Sequence, residues 1–156
     1  MRLSKFVVTA AVAVAIGAAA FTSIAQDVAI TPDPTLSTLS VEQMVAKRQE
    51  IMKLNGGTLK AAGSLSGAEA VAAADTLIAN FSNLTVLFPE GSNIGGSEAK
   101  AEIWQNFDAF QGILTQGVAA ATAMKAAAEA GDAAAYGEAV KTLGGTCGQC
   151  HQQFRA

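Results

Sequence analysis

Apolar and polar positions divide the chain into stretches of different character. Phe6 to Phe21 is an almost uninterrupted apolar run behind a basic start at Arg2 and Lys5. Ser23-Ile24-Ala25 then places small residues at the −3 and −1 positions of a cleavage site. This is the pattern of an export leader spanning residues 1–25. An uncleaved anchor is the competing reading, but the run falls short of the roughly 20 apolar residues of a bilayer span. Every later apolar stretch is broken by Lys, Glu, Asp, Asn or paired Gly. Residues 26–39 hold two of the three prolines and show no helical period, so they read as a flexible or loosely docked N-terminal arm.

From Ser40 onward the spacing predicts four helices over residues 40–156. Ser40 with Gln43 forms a capping-box start, and Met44, Arg48, Ile51 and Met52 recur at helical intervals up to Asn55-Gly56-Gly57. There the helix is expected to weaken or kink before resuming through Leu59 to about Ala62. Ser66 with Glu69 is a second capping-box pattern, opening a helix that carries Val71, Leu77, Ile78, Phe81 and Leu84. Phe88-Pro89-Glu90-Gly91 and Gly95-Gly96 mark a loop of about ten residues. A third helix is expected from Ser97 through Ile103, Trp104, Phe107, Phe110, Ile113 and Leu114 towards Ala130. Gly131 suits its C′ position and Asp132 the next N-cap. The fourth helix runs on through Tyr136, Val140 and Leu143 to the last residues. Sustained alternation with β-branched enrichment is absent, so the expected fold is all-α, an antiparallel four-helix bundle.

Composition sharpens this picture. Hydrophobic residues make up 51% of the 156, yet only 6% are aromatic and 15% charged, so much of the apolar fraction is alanine. Alanine has the best helix propensity, and its small side chain lets helices approach closely where a large flat group shares the interior. Without Arg2 and Lys5, the ten basic residues become eight against thirteen acidic ones, a net charge of −5. No basic patch survives, which argues against nucleic acid as a partner.

The chemistry concentrates at Cys147-Gly148-Gln149-Cys150-His151. A C-x-x-C-H pentad is the attachment signature of c-type haem. The two thiols add to the porphyrin vinyl groups, and the histidine reaches the iron from the proximal side. Positions i, i+3 and i+4 share one helix face, so the three groups converge on one edge and one side of the ring. Three other readings fit less well. A thioredoxin-like pair belongs at a helix start after a strand, within a βαβ pattern. A structural zinc site normally takes four protein ligands, whereas the chain has two cysteines and one histidine. A disulfide between Cys147 and Cys150 suits an exported protein, but it would close too small a loop to stabilise much.

With the pentad on the last helix of an all-helical chain, the sequence resembles the class II c-type cytochromes, the cytochrome c′ family with its low-spin, six-coordinate relatives. The resemblance runs from about Leu39 to Arg155. It rests on Lys47 to Met52, Leu87-Phe88-Pro89-Glu90-Gly91, Glu102-Ile103-Trp104, and Cys147 to Arg155. It implies one covalent haem c, with thioethers at Cys147 and Cys150 and His151 as proximal iron ligand. Arg48 and Gln49 match an Arg-Gln pair beside the haem and its propionates, and a guanidinium is suited to bidentate pairing with a carboxylate. Phe154 matches an aromatic and Arg155 a basic position after the pentad. Phe88 and Trp104 read either as core or as haem neighbours, and Glu98 is a candidate for the haem edge.

The sixth coordination position decides the function. The sole histidine is assigned to the proximal side, which leaves methionine, a lysine amine, water or nothing. Met52 follows Arg48 by one turn on the same face and is the candidate ligand, with Met44 and Met124 read as core or surface. Met/His ligation suits electron transfer. The resemblance also allows Met52 to block the distal face without binding iron, leaving a five-coordinate site for nitric oxide or carbon monoxide. The expectation is a periplasmic carrier of single electrons that docks on redox proteins or membrane electron-transfer complexes. A gas-binding protein is the alternative, and the family implies homodimer formation. With no general base, nucleophile or second set of metal ligands apparent, no enzyme is expected.

Overall fold

The computed structural model describes residues 28–156. The expected leader and its cleavage site lie outside the described residues. The arm is docked: Asp33 caps a 3-10 turn at Pro34–Thr38 by accepting from the Thr35 amide at 2.9 Å. Its own N–H donates to Asn83 Oδ1 at 2.8 Å, and Leu36 is buried.

Helix α1 spans Val41–Ala62 and begins with the predicted capping box. Ser40 Oγ accepts from the Gln43 amide at 3.3 Å, and Gln43 Oε1 accepts from the Ser40 amide at 2.8 Å. The helix passes through Gly56-Gly57 without the expected interruption. Each glycine costs about 1 kcal/mol relative to alanine, but both are exposed, while the inward stripe of Ile51, Asn55 and Ala62 is buried on either side of them. Helix α2 spans Gly67–Leu84. Ser66 sits at its N-cap, but its hydroxyl makes no capping hydrogen bond, so the second capping box does not form.

The expected third helix is divided. Residues 97–101 are irregular, α3 is the single turn Glu102–Gln105, Asn106 breaks the helix at φ −130° and ψ 47°, and α4 spans Phe107–Ala130. Long-range pairing accounts for the late start. The Lys100 amide donates to Phe154 O at 3.0 Å and the Ala156 amide to Glu98 O at 2.8 Å, around a bridge between Ala99 and Arg155. Gly131, at φ 68°, ends α4 as predicted. Asp132 then caps α5, Ala133–Phe154, by accepting from the Ala135 amide at 2.9 Å.

The four long helices form the bundle, and no strand occurs among the described residues. α4 packs closely against both α2 and α5, whereas α1 meets α5 at few points. Ala70, Ala73 and Ala74 on α2, and Ala120, Ala121 and Ala127 on α4, are buried in the chain's own core. Gly117 brings the α4 backbone against the Phe81 ring. At the other end, Tyr136 donates to Ala62 O at 3.1 Å and ties α5 to the last turn of α1. The wide side of the bundle therefore lies between α1 and the C-terminal half of α5.

Candidate functional site

That side holds a cleft of about 420 Å³, within the roughly 300–1,000 Å³ of cofactor and small-molecule sites. α1 contributes Arg48 and Met52 from one face, and α5 contributes Cys150 and His151. Its floor is aromatic. Phe110 stands edge-on to Phe88, with ring centroids 4.7 Å apart, and edge-on to Phe154 at 5.3 Å. Such pairs are stabilising beyond the area they bury.

Every candidate site residue read from the sequence lines this cleft except Cys147 and Trp104. Cys147 lies one turn back along α5 and packs, half-buried, against the core. Trp104 is half-buried outside the lining, its indole N–H donating to Phe88 O at 3.2 Å and so supporting the aromatic floor from behind. Met44 is packed against the core and Met124 is fully buried within it. Met52 is thus the only methionine among the described residues that reaches the cleft.

Both thiols are free. Burial pushes the Cys147 thiol up, and it pushes Cys150 up to about 11, with Cys147 nearby adding to the effect. Both are therefore neutral near pH 7. His151 is exposed at the cleft wall. No group of three or more His, Cys, Asp or Glu side chains among the described residues is placed to hold a metal ion, so a zinc site lacks its donors. The arrangement does fit haem c: two unpaired thiols at i and i+3, an accessible imidazole at i+4, and an aromatic cleft against which a flat ring can lie.

Arg48 lines the cleft and is hydrogen-bonded within the protein. It is 3% exposed, and its Nη atoms donate to Leu87 O at 3.1 Å, Ser92 Oγ at 2.7 Å, Ser92 O at 2.6 Å and Ser97 Oγ at 2.8 Å. Its Cζ lies 4.3 Å from the Phe88 ring centroid. Burial pulls the guanidinium down to about 10, still charged at neutral pH. Glu98 and Arg155, both exposed, are paired with each other, Arg155 Nε donating to Glu98 Oε2 at 2.6 Å. Gln49 is exposed at the rim.

Ser92, Ser97, Ile103 and Phe110 take part in the site, the first two through Arg48 and the last two as lining. In the sequence Ile103 reads as a helix position and a landmark of the resemblance, Phe110 as a helix position and Ser97 as a helix start, none of them with a site role, and a serine such as Ser92 in a glycine-rich loop carries no signal beyond turn formation.

A family model described as Cytochrome C′ matches residues 43–155. The chain is 37% identical over 123 residues to a cytochrome c′ of Pararhodospirillum photometricum, covering 74% of this chain and 98% of the relative. It is 40% identical over 118 residues to a cytochrome c-556 of Agrobacterium tumefaciens (strain II Chrys), covering 71% and 95%. The crystal structure of cytochrome c′ from Thermochromatium tepidum is similar at a TM-score of 0.66 and 31% identity, over 76% of this chain and 98% of the other. With the pentad on the last helix and the cleft beside it, these matches establish that the chain belongs to the cytochrome c′ family, whose members carry covalently attached haem c.

Proposed function

We propose that the protein is a periplasmic carrier of single electrons, not an enzyme. In this reading Cys147 and Cys150 hold the thioethers, His151 is the proximal ligand and Met52 the distal one. The observation that carries it is the placement of Met52 on α1 and His151 on α5 as lining residues of one cleft. The haem supplies one-electron Fe(III)/Fe(II) chemistry when bound, and a thioether opposite an imidazole raises its potential. The chain's own residues then fix and shield the ring: Phe88, Phe110 and Phe154 exclude water from the floor, while exposed Gln49 leaves the rim open to a partner. An excess of acidic residues favours redox proteins or membrane complexes with positive docking patches and makes encounter salt-dependent. No helix among the described residues is long and apolar enough to cross a membrane.

The second reading is a five-coordinate haem that binds nitric oxide or carbon monoxide. Cytochromes c′ as well as a cytochrome c-556 lie at comparable identity, and a methionine is also a flexible apolar filler that can cover a face without bonding. Absorption spectra of the reduced protein before and after carbon monoxide separate the two. A low-spin spectrum unchanged by the gas is expected; a high-spin form that takes it up readily overturns Met52 ligation. Met52→Leu then converts the expected spectrum to the high-spin, gas-binding one. Homodimer formation, in the manner of the family, is checked by sedimentation of the haem protein.

A further inference from the structure

The guanidinium of Arg48 has four Nη hydrogens, and all four have acceptors within the protein. Leu87 O and Ser92 Oγ take those of one Nη, and Ser92 O and Ser97 Oγ those of the other. No carboxylate pairs with Arg48 among the described residues. The acceptors lie near the start, the middle and the end of the segment joining α2 to α3. That segment has little structure of its own. It contains three glycines in the left-handed region, Gly91 at φ 73°, Gly95 at 62° and Gly96 at 75°, and its internal backbone bonds are single turns such as Ser92 N–H to Pro89 O and Ser97 N–H to Ile94 O. Yet it supplies Phe88, Gly96, Ser97 and Glu98 to the cleft wall. Beyond Ser97 the same segment reaches α5 through the Glu98–Arg155 pair and the Ala99–Arg155 bridge.

We infer that Arg48 acts on the haem site as a positioning residue for residues 87–97. With Ser92 and Ser97 as its receptors, it moulds a glycine-rich segment into a wall that spans from α1 to α5. Charged donors to buried acceptors make strong hydrogen bonds, a planar fork can serve several acceptors held in fixed directions, and the Phe88 face covers the cation. A lysine, with a single ammonium point and no plane, reproduces the charge but not this set of bonds. The role rests on the chain being a haem protein, and it holds whether that haem carries electrons or binds a gas.

The test compares Arg48→Lys with Ser92→Ala/Ser97→Ala, and with all three changes together, in the haem-loaded protein. Amide hydrogen exchange of residues 88–97 is read by mass spectrometry beside the reduction potential. Both variants are expected to speed exchange in that segment about tenfold or more, with α4 unaffected. The triple variant is expected to add little to Arg48→Lys, because the two bonds that the serine changes remove are among the four that Arg48→Lys breaks. The serine variant, which removes two of the four bonds, is expected to reproduce part of any potential shift seen in Arg48→Lys. Unchanged exchange in Arg48→Lys overturns the inference. So does a potential shift confined to Arg48→Lys, which would mark an action on the haem that does not run through the segment. If Arg48→Lys fails to fold, the serine variant decides alone: unchanged exchange there overturns the inference too. The exchange readout does not depend on Met52, so failure here is distinguishable from failure of the ligation assignment.

Discussion

Replacing Gly117 by alanine tests how the bundle is kept narrow on the side away from the cleft. Gly117 is buried in the interior of α4, and an added Cβ would lie 2.3 Å from Phe81 Cδ1 and 2.4 Å from Cε1. Carbon atoms in contact settle at about 3.5–4.0 Å, so the ring must retreat by more than about 1 Å. Phe81 is 6% exposed, which leaves it little room, and a Cβ fixed to the helix backbone cannot rotate away. Overpacking of this kind costs about 1–3 kcal/mol, with the upper half of that range expected here. Against it stands a gain of about 1 kcal/mol from replacing glycine in a helix interior. The net expectation is a loss of about 1–2 kcal/mol, or a fall in Tm of about 3–8 °C. The measurement is thermal and urea unfolding of the haem-loaded protein followed by far-ultraviolet circular dichroism. Gly144→Ala is the control, since its Cβ would meet Leu59 Cδ2 at an ordinary 3.8 Å, and it should be neutral or stabilising. Phe81→Leu should recover part of the loss in the Gly117→Ala background. Because Gly117 is not among the residues that line the cleft, the haem spectrum should not change. A Gly117→Ala protein as stable as the parent would refute the close approach of α2 and α4.

Asn55 and Asn80 form a buried pair, Asn80 Nδ2 donating to Asn55 Oδ1 at 2.7 Å, and Asn55 Nδ2 has no partner. Asn80→Ala strands the whole Asn55 amide and should cost about 1–3 kcal/mol. Asn55→Leu/Asn80→Leu should cost less than the sum of the single changes in a urea-unfolding cycle, and strict additivity would exclude a coupled pair. In the chain before haem attachment, burial holds the Cys150 thiol up at about 11 against an ordinary 9. Its alkylation by iodoacetamide should therefore keep accelerating as pH rises to about 11. In the unfolded chain the thiol ionises first, so this group's contribution to stability is full below pH 9 and is lost between 9 and 11. An alkylation profile levelling off near pH 9 would show that the thiol is not buried.

The bundle was legible because its signals are local. Ser40 with Gln43, Gly131 and Asp132 carry helix boundaries within a few residues, and the structure uses each as predicted. The misplaced start of the third helix has a non-local cause. Nothing in Ser97 to Lys100 opposes a helix, but their backbone groups pair with residues 154–156, more than fifty positions on. Ser66 fails as a cap for a local reason. A capping box is a permissive pattern, and Gly67 at φ 54° turns the chain so that the hydroxyl finds no amide.

The same division between local and distant signals runs through the site. Cys147, Cys150 and His151 could be read from spacing because their chemistry depends on one turn of one helix. Arg48 depends on an encounter with residues 39 to 49 positions away, so its residue type disclosed what it can bind but not what it does bind. A buried cation without a carboxylate would be costly if left unsatisfied. Here backbone and serine oxygens meet that demand, and in doing so they give shape to a segment too rich in glycine to hold one unaided. Low aromatic content follows from the same economy of space: alanine and glycine draw α2, α4 and α5 together, and three phenylalanines are set aside for the cleft, where a flat ring provides the remaining apolar mass.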